Sequence, residues 1–354
     1  MVENARMEDY FSVIASAGGS RVILVADERS GLRAFIAIDD TTLGPAAGGV
    51  RTIRYPTTHD ALADALRLAR AMTLKCAIAG LDAGGGKAVV LLHDGLQREA
   101  AFVRLGQVVE ELGGLFRTAG DLGTTAADLQ AMAGSSRYVH TDERNLAAAV
   151  GRGILRCIEA CAAVRSVDPA TLVVGIQGAG SIGASTARIL AAAGMRVVIA
   201  DVDEERAARV AAEIPTARVV GAQNILQERV DVLAPCAIGG VITDDVARSM
   251  HAWAVCGGAN NALASSDVAL VLARRGVLHV PDPIASAGAV IDGIGRSVMG
   301  LADPTPLIDQ LGNTAREVLE EARASGKTPS EIAETRARQR IAARHDIHAH
   351  NASR

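Results

Sequence analysis

The chain has 354 residues, of which 49% are hydrophobic and 21% are charged, so its composition is that of a globular protein and its length predicts about two domains. The formal net charge of −4 argues against a nucleic-acid partner, which requires an excess of Lys and Arg. No apolar run reaches the roughly 18 residues of a membrane span, and the polar start MVENARMEDY is unlike a signal peptide. We therefore expect a cytoplasmic protein without a membrane partner.

The first half of the chain mixes strand and helix patterns and has no dinucleotide fingerprint. Residues 21–27 and 32–38 predict strands, the second by period-2 alternation. Helical periodicity begins at Thr58, which could cap the first helix. The ranges predicted as helices are 58–72, 98–113 and 125–133.

Two glycine-rich segments interrupt this pattern. TTLGPAAGGVR, residues 41–51, predicts a loop. LDAGGGKAVVLL, residues 81–92, predicts a glycine loop that leads into a buried strand.

The second half begins near residue 145 and alternates helices with short apolar strands. A helix is predicted over 146–164, and a strand, turn, helix and strand follow within 171–203. Strands that alternate with helices indicate a parallel sheet with right-handed crossovers. Further strands are predicted within 217–220, 230–235, 252–259 and 276–282, followed by a helical stretch at about 304–343.

Three glycines form the pattern G-x-G-x-x-G between the predicted strand Leu172–Ile176 and the predicted helix Ser181–Ala193. In this context Gly178 permits a tight turn, Gly180 lets the backbone approach a pyrophosphate, and Gly183 lets the helix pack on the strand. The free N–H groups at the start of the helix then favour phosphate. The alternative is three glycines at ordinary turns.

Asp201 lies at the end of the next strand, about 20 residues beyond the first glycines, as the dinucleotide fingerprint requires. Its carboxylate could accept a hydrogen bond from a ribose hydroxyl and would repel a 2′-phosphate. We therefore predict NAD as the cofactor.

Two lysines and one aspartate are candidates for chemistry. Lys87 follows three glycines and precedes a buried strand, so it is unlikely to be fully solvated. Desolvation or a nearby ammonium lowers a lysine pKa toward the range of a general base. An anion-binding loop is the alternative, although Ala88 breaks the P-loop pattern. For Lys75 the composition alone favours a surface position, whereas for Asp121 a turn or helix cap and a functional role are equally open from the residues alone.

The cysteines do not indicate a disulfide framework or a metal site. Their number is odd, which fits a reducing cytosol. Cys157 and Cys161 lie one helical turn apart on an apolar face, and no second Cys or His pair accompanies them. The five are Cys76, Cys157, Cys161, Cys236 and Cys256.

Taken together, these segments resemble the glutamate/leucine/phenylalanine/valine dehydrogenase family, and most closely its phenylalanine and leucine dehydrogenases. The similarity extends in family order from about residue 30 to residue 300. The matching stretches are TTLGPAAGGVR, AMTLKCAIAGLDAGGGKAVV, TAGDLGTT, GIQGAGSIG, APCAIGGVI, GGANNALA and PDPIASAGAVI.

The resemblance implies an α/β fold with a catalytic domain, a Rossmann domain and an active-site cleft between them. It places the catalytic domain at 1–143, the NAD-binding domain at 144–310 and returning C-terminal helices at 311–354. It also implies a homo-oligomer that oxidatively deaminates a hydrophobic L-amino acid with NAD.

The resemblance also assigns roles to individual residues. Lys87 would be the general base, with Asp121 beside it, and Lys75 would bind the substrate α-carboxylate. Gly48, Gly49 and Asn261 would complete the substrate site. The cofactor would contact Gly178, Gly180, Ser181, Ile182, Gly183, Asp201, Cys236, Ala237 and Asn260.

Three positions depart from the family pattern. Ala148 stands where relatives carry a Thr whose hydroxyl is expected to bond the nicotinamide carboxamide. Ser286 stands where relatives carry Asn, and Ala83 stands where relatives often have a larger side chain. Ala148 and Ser286 are the support for a second hypothesis, a non-catalytic NAD-binding paralogue.

Small residues at the mapped side-chain pocket favour an aromatic, phenylalanine-like substrate. The mapped positions are Ala47, Ala119, Val290 and Gly293. A branched-chain or tryptophan substrate is the alternative, since methylene-scale differences are worth only about 1–3 kcal/mol. Glutamate is disfavoured because these positions offer no cation for a second carboxylate.

Overall fold

The computed structural model describes residues 10–18, 21–142 and 145–352, with the side chains of 346–352 left undescribed. The polar start at 1–9 and the expected domain boundary between 143 and 144 lie outside the described residues. The architecture is mixed α/β with two sheets, as expected.

The first sheet has five strands in the order β1-β2-β4-β3-β5. The outer strands β1 and β2 are antiparallel, whereas β3 runs parallel to both β4 and β5. The strands are β1 Arg21–Asp27, β2 Leu32–Asp40, β3 Ala46–Ile53, β4 Gly84–Leu91 and β5 Phe116–Gly120. The helices of this part are α1 Tyr10–Ser16, α2 Thr58–Ile78, α3 Arg98–Glu111 and α4 Ala126–Ala133.

Alternation along the strands separates two apolar faces of this sheet. One face packs against α3, where Phe102 and Leu105 meet Val50 and Phe116. The other face packs against α2, where Leu62 and Leu66 meet residues such as Phe35, Ala37 and Val89.

Helix α2 begins at Thr58 as predicted, but its capping residue and its C-terminal end differ from the prediction. Thr57, not Thr58, is the N-cap, and it forms a capping box with Asp60. The helix continues past Met72 to Ile78, so Lys75 lies within it. Burial of Ala and Leu along one side of the helix holds it against the sheet.

Both glycine-rich segments have more strand than predicted. Residues 41–51 were predicted as a loop, but Ala46–Ile53 forms β3. The buried strand expected after the GGG run is confirmed as β4, Gly84–Leu91, but it begins at the first of these glycines. Close packing requires the glycines: a Cβ at Gly85 would lie 2.2 Å from the Thr73 N of α2, and one at Gly86 would lie 2.8 Å from the Phe116 ring.

The second sheet has six parallel strands in the order β11-β10-β9-β6-β7-β8. This is the doubly wound arrangement that the alternating pattern predicted. The strands are β6 Val173–Gln177, β7 Arg196–Ala200, β8 Arg218–Val219, β9 Val232–Pro235, β10 Ala254–Val255 and β11 Leu278–His279. The helices are α5 Leu146–Arg165, α6 Ser181–Ala192, α7 Glu204–Ala212, α8 Asp244–Ser249, α9 Ser266–Arg274, α10 Asp282–Ala285 and α11 Gly288–Ser297.

Two helices, not one continuous stretch, end the chain: α12 Thr305–Ser325 and α13 Pro329–Ala352. Helix α12 packs on α5, where Asp309 accepts hydrogen bonds from Arg152 and Arg156. Helix α13 lies against the end of α2, where Arg340 donates to the Leu81 carbonyl at 2.6 Å. The last helix therefore contacts the first sheet's domain.

Candidate active site

A cavity of about 630 Å³ is lined by strand residues of the first sheet, by α2, and by loop and helix residues of the second half of the chain. It brings together most of the residues expected at the chemical and substrate sites. Those that line it are Ala47, Gly48, Gly49, Lys75, Lys87, Ala119, Asp121, Asn260, Asn261, Val290 and Gly293.

The face of the first sheet that packs on α2 carries the charged residues of this cavity. Because side chains alternate along a strand, Arg51 on β3, Lys87 on β4 and Asp121 after β5 project from the same face. Parallel β3 and β5 are in register from Ala46 to Val50, which places Asp121 beside the end of β3. Gly49 permits this approach, since a Cβ there would lie 2.9 Å from the Asp121 Cβ.

Lys87 is buried, with an exposed fraction of 6%. Its Nζ lies 2.7 Å from Asp121 Oδ2. Burial lowers the pKa of the Lys87 ammonium, and the carboxylate of Asp121 opposes that shift without cancelling it. The prediction that Lys87 is not fully solvated is therefore confirmed, and its amine can lose a proton more readily than a solvated lysine.

One carboxylate oxygen of Asp121 contacts two positively charged side chains. Its Oδ2 accepts a hydrogen bond from Arg51 Nε at 2.9 Å in addition to the contact with Lys87. Burial raises the pKa of Asp121, but Lys87 and Arg51 outweigh it and keep that pKa below its usual range. Asp64 binds the other side of the Arg51 guanidinium at 3.1 Å and accepts the Tyr55 hydroxyl at 2.7 Å.

The Lys75 side chain reaches from α2 to residues of the second half of the chain. From α2, its Nζ donates to Asn260 Oδ1 at 3.0 Å and to Ser286 Oγ at 2.9 Å. Burial lowers the pKa of the Lys75 ammonium, and the positive charge of Lys87 lowers it further, against the opposing effect of Asp282. Lys75 is thus not a surface lysine, and Ser286 is a direct neighbour of its ammonium.

The glycine turn after β6 has the geometry that a dinucleotide phosphate requires. Gly178 has φ of +101°, and a Cβ on Gly183 would lie 1.8 Å from the Gly178 carbonyl oxygen. A Cβ on Gly180 would meet nothing within 4 Å, so that side of the turn is open to a ligand. Ser181 and Ile182 begin α6, whose first N–H groups face this open space.

The neighbouring loop closes the other side of the turn. A Cβ on Gly178 would lie 2.6 Å from the Ala237 Cβ, and one on Gly183 would lie 3.4 Å from the Cys236 Cβ. These residues fit a dinucleotide, because the turn is tight where the backbone must pack and open where phosphate must approach.

Asp201 follows β7 and is buried beside this turn. Its Oδ2 accepts the Ala179 N–H at 2.6 Å and its Oδ1 accepts the Asp203 N–H at 2.9 Å. Burial raises its pKa, but these hydrogen bonds prevail and keep the carboxyl acidic. Arg206 lies 3.5 Å from Asp201 and 3.1 Å from Asp203, so one guanidinium is balanced by two carboxylates.

Sequence reasoning missed two arginines that line the cavity, Arg51 and Arg117. Arg51 ends the segment that was taken as a loop. Arg117 lies on β5, a strand that was not predicted. It adds a cation to the cavity wall outside the four mapped side-chain positions, which themselves offer none. The alternation Arg117, Ala119 and Asp121 was the available signal.

The comparisons with known proteins agree with this arrangement. The model of the Glu/Leu/Phe/Val dehydrogenase dimerisation domain matches residues 20–138, and that of Glutamate/Leucine/Phenylalanine/Valine dehydrogenase matches residues 199–293. A valine dehydrogenase from Streptomyces coelicolor is 38% identical over 285 residues, which cover 77% of this chain and 78% of that protein. The chain belongs to the glutamate/leucine/phenylalanine/valine dehydrogenase family. The expected family is thereby confirmed.

Other relatives cover nearly the whole enzyme. A phenylalanine dehydrogenase from Bacillus thermotolerans is 33% identical over 353 residues, covering 96% of this chain and 92% of that protein. The solved structure of L-tryptophan dehydrogenase from Nostoc punctiforme has a TM-score of 0.86 and 30% identity, covering 95% of this chain and 99% of that one. The enzyme is therefore an amino-acid dehydrogenase, an oxidoreductase acting on CH–NH₂ donors.

Within residues 10–18, 21–142 and 145–345, whose side chains the structure describes, no group of at least three His, Cys, Asp or Glu residues is arranged to hold a metal ion. No helix in the described part of the chain is long and apolar enough to cross a membrane.

Proposed function

We propose that the enzyme oxidatively deaminates a hydrophobic L-amino acid, with an aromatic side chain preferred, to its 2-oxo acid and ammonium using NAD⁺. The observation that carries this proposal is the buried Lys87–Asp121 pair in the same cavity as Lys75. Burial lowers the pKa of Lys87, and the Lys75 ammonium reaches across the cleft to Asn260 and Ser286.

Lys87 is the proposed general base. Its burial lowers its pKa, which favours the neutral amine of a general base. After hydride has left the substrate Cα, water would add to the resulting iminium carbon, and Lys87 Nζ would take the proton that this water loses. The same Nζ would then return the proton to the substrate amine; as the C–N bond breaks, the hydroxyl proton leaves with the amine, giving the 2-oxo acid and ammonium. Asp121 orients Lys87 Nζ from 2.7 Å and balances its charge when the proton is held.

Lys75 is the proposed partner of the substrate α-carboxylate. Its ammonium already has two oxygen neighbours, on Asn260 and Ser286, so a carboxylate oxygen would join or replace these neutral acceptors. A charged acceptor makes the stronger hydrogen bond. Gly48, Gly49 and Asn261 would line the same site through the backbone and the amide.

NAD⁺ would be held by the glycine turn, with Gly178, Gly180, Ser181, Ile182 and Gly183 beside the pyrophosphate. When bound, its nicotinamide ring supplies the hydride acceptor. Asp201 would receive the ribose hydroxyl, while Cys236, Ala237 and Asn260 would border the nicotinamide half.

NAD⁺ is proposed over NADP⁺ because of the charges at the ribose end. Arg206 could attract a 2′-phosphate, but it is already paired with both Asp201 and Asp203. The trio carries a net negative charge, which disfavours a phosphate. We expect a higher kcat/KM with NAD⁺ than with NADP⁺, and the reverse order would contradict this assignment.

The aromatic preference is supported by the small residues at the side-chain end of the cavity. A Cβ at Gly293 would meet only His140, at 3.7 Å, and Ala47 and Ala119 add little bulk. The alternative, a branched-chain substrate, is favoured by the similarity to a valine dehydrogenase.

The match to a dimerisation domain supports a homo-oligomer. The cysteines, which are all free and buried, are compatible with the cytoplasmic location proposed for this reaction. Gel filtration with light scattering would measure the oligomeric state, and a monomer would contradict the proposed assembly.

The decisive experiment follows NADH formation by the purified enzyme with NAD⁺ and a panel of L-amino acids. We expect turnover with aromatic amino acids above that with valine or leucine. A higher kcat/KM for leucine or valine than for phenylalanine would overturn the aromatic preference. Bound NAD⁺ without NADH from any amino acid would instead support a non-catalytic paralogue.

A further inference from the structure

Strand β5 carries two cavity residues on the face that ends at Asp121. Arg117 and Ala119 alternate with the buried Phe116 and Thr118, and Asp121 follows the strand. A strand rises about 3.3 Å per residue, so the Cα atoms of Arg117 and Asp121 are separated by roughly 13 Å. Arg117 thus lies along the cavity wall away from the reacting groups.

The Arg117 guanidinium has more donors than partners. Its Nη1 donates to the Ser297 carbonyl of α11 at 3.2 Å, and its Cζ lies 5.1 Å from the centre of the Tyr138 ring. Its Nε is buried and has no hydrogen-bond partner within the described ranges. None of the ion pairs formed among the described residues includes Arg117.

The Arg117 guanidinium has five N–H donors and a positive charge. Among the described residues, its neighbours are one carbonyl oxygen and one aromatic ring. Unmet donors of a partly buried cation cost free energy. An acceptor oxygen on a ligand in the cavity would recover part of that cost. The guanidinium is consequently a recognition group for the distal end of a substrate side chain.

Small and apolar residues line the cavity together with Arg117. Gly293 leaves room up to the His140 imidazole, since a Cβ there would still lie 3.7 Å and 3.9 Å from two ring atoms. Ala119 contributes only a methyl group, and Val290 supplies an apolar surface. These residues suit the apolar face of an aromatic side chain better than a charged one.

The small and apolar residues of the cavity wall, and not its charges, favour an acceptor carried on a ring over a side-chain carboxylate. Asp292 lines the cavity but forms an ion pair with Arg296 at 3.1 Å, and Arg137 lines it together with Arg117. The acidic residues therefore do not by themselves repel a carboxylate. A phenolic hydroxyl accepts from a guanidinium without bringing negative charge.

We propose that Arg117 recognises the phenolic hydroxyl of a 4-hydroxyphenyl side chain, so that the enzyme prefers tyrosine-like amino acids to phenylalanine. This inference rests on the proposed deamination of aromatic amino acids and names the substrate class within it. Arg117 acts on specificity and has no part in the proton transfers.

The test compares substrates that differ by one oxygen. Steady-state kcat/KM is measured with NAD⁺ for tyrosine, phenylalanine and 2-aminoadipate, using the wild-type enzyme and Arg117→Met. A hydrogen bond from a charged donor corresponds to about a tenfold to hundredfold preference. We expect wild type to prefer tyrosine by that factor, and Arg117→Met to lose most of the tyrosine-to-phenylalanine ratio.

Arg165→Met is the matched control. Arg165 has the same kinds of neighbour as Arg117, the Trp253 ring at 5.4 Å and the Gly276 carbonyl at 2.7 Å, but it does not line the cavity. We expect this variant to keep the tyrosine-to-phenylalanine ratio of wild type. An equal ratio change in both variants would show that the effect of Arg117→Met does not come from a contact with the substrate.

A second measurement does not depend on the variant folding. Binding of 3-phenylpropanoate and 3-(4-hydroxyphenyl)propanoate to the wild-type enzyme with NADH is measured by calorimetry, and the hydroxylated acid should bind at least about tenfold tighter. Equal affinity, or a preference for 2-aminoadipate over tyrosine, would overturn the proposal. Absence of turnover with every amino acid would instead remove the proposed function.

Discussion

The two ends of the cavity balance their charges differently. At the proposed catalytic end (Lys75, Lys87 and Asp121), Asp121 Oδ2 contacts both Lys87 and Arg51, and Asp64 contacts Arg51 in turn. At the distal end (Arg117, His140 and Gly293), the guanidinium has a carbonyl and a ring as neighbours. The first end is organised before substrate arrives, as electrostatic catalysis requires. The second has capacity left for a ligand, as recognition requires.

Removal of Lys87 should have the largest effect. We expect Lys87→Ala to lower kcat by about 10²–10⁴-fold, the range associated with loss of a general base, while NAD⁺ binding measured by fluorescence is retained. Lys327→Ala is the control, because Lys327 is exposed on the turn between α12 and α13. Retained turnover in Lys87→Ala would remove that residue from its role.

Asp121→Asn tests the charge balance of the catalytic end. The Asp121 carboxylate raises the pKa of Lys87 against the effect of burial. Its loss should lower that pKa further, so the acidic limb of the kcat/KM profile should move to lower pH. We also expect kcat to fall by about 10²-fold because Lys87 is no longer oriented. A limb that moves to higher pH would contradict the assignment of Lys87 as base.

Arg51→Gln should shift the same limb in the opposite direction. The positive charge of Arg51 lowers the pKa of Lys87, so its removal should raise that pKa and move the acidic limb to higher pH. The loss in kcat should be smaller than for Asp121→Asn, about tenfold, because Lys87 keeps its direct partner. When the two variants are measured in parallel, the acidic limb of Asp121→Asn should lie below the wild-type limb in pH and that of Arg51→Gln above it. Limbs that shift in the same direction would contradict this prediction.

Gly293→Val probes the distal end and should have the smallest effect. The added Cβ fits beside His140, but the two methyl groups would occupy space proposed for an aromatic ring. At about 1–3 kcal/mol for methylene-scale changes, kcat/KM for phenylalanine should fall roughly tenfold. Valine should be affected less, and an equal loss for both substrates would place Gly293 outside the side-chain pocket.

The cofactor turn could be predicted from the sequence because its causes are local. A strand, three glycines, a helix and an acidic residue at fixed spacing dictate the turn, and the structure has each glycine in a position that a Cβ would block or leave open to ligand. For this glycine turn, the local sequence pattern was therefore sufficient to predict the local backbone geometry.

The catalytic end could be predicted only in part. Lys87 and Asp121 were identified through family resemblance, whereas Arg51 was overlooked because GGVR was taken for a loop. Its place beside Asp121 depends on the register of β3 with β5, a contact between residues that are 70 apart in sequence. Hydrophobic periodicity does not report such pairings.

The distal end was predicted least well. Strand β5 is five residues long, too short for alternation to stand out, and Arg117 was therefore never considered as a pocket residue. Helix α11 contributes Val290 and Gly293 from the second domain, so this part of the cavity exists only when both domains are in place.

The tuned state of Lys87 can be measured directly because the chain contains only three lysines, Lys75, Lys87 and Lys327. Enzyme labelled with lysine carrying ¹³C at the ε position should give three signals, which Lys87→Ala and Lys327→Ala would assign. We expect the Lys87 signal to titrate below the ordinary lysine pKa of about 10.4 and to move lower still in Asp121→Asn. A Lys87 signal that titrates at or above that value would contradict its role as the general base.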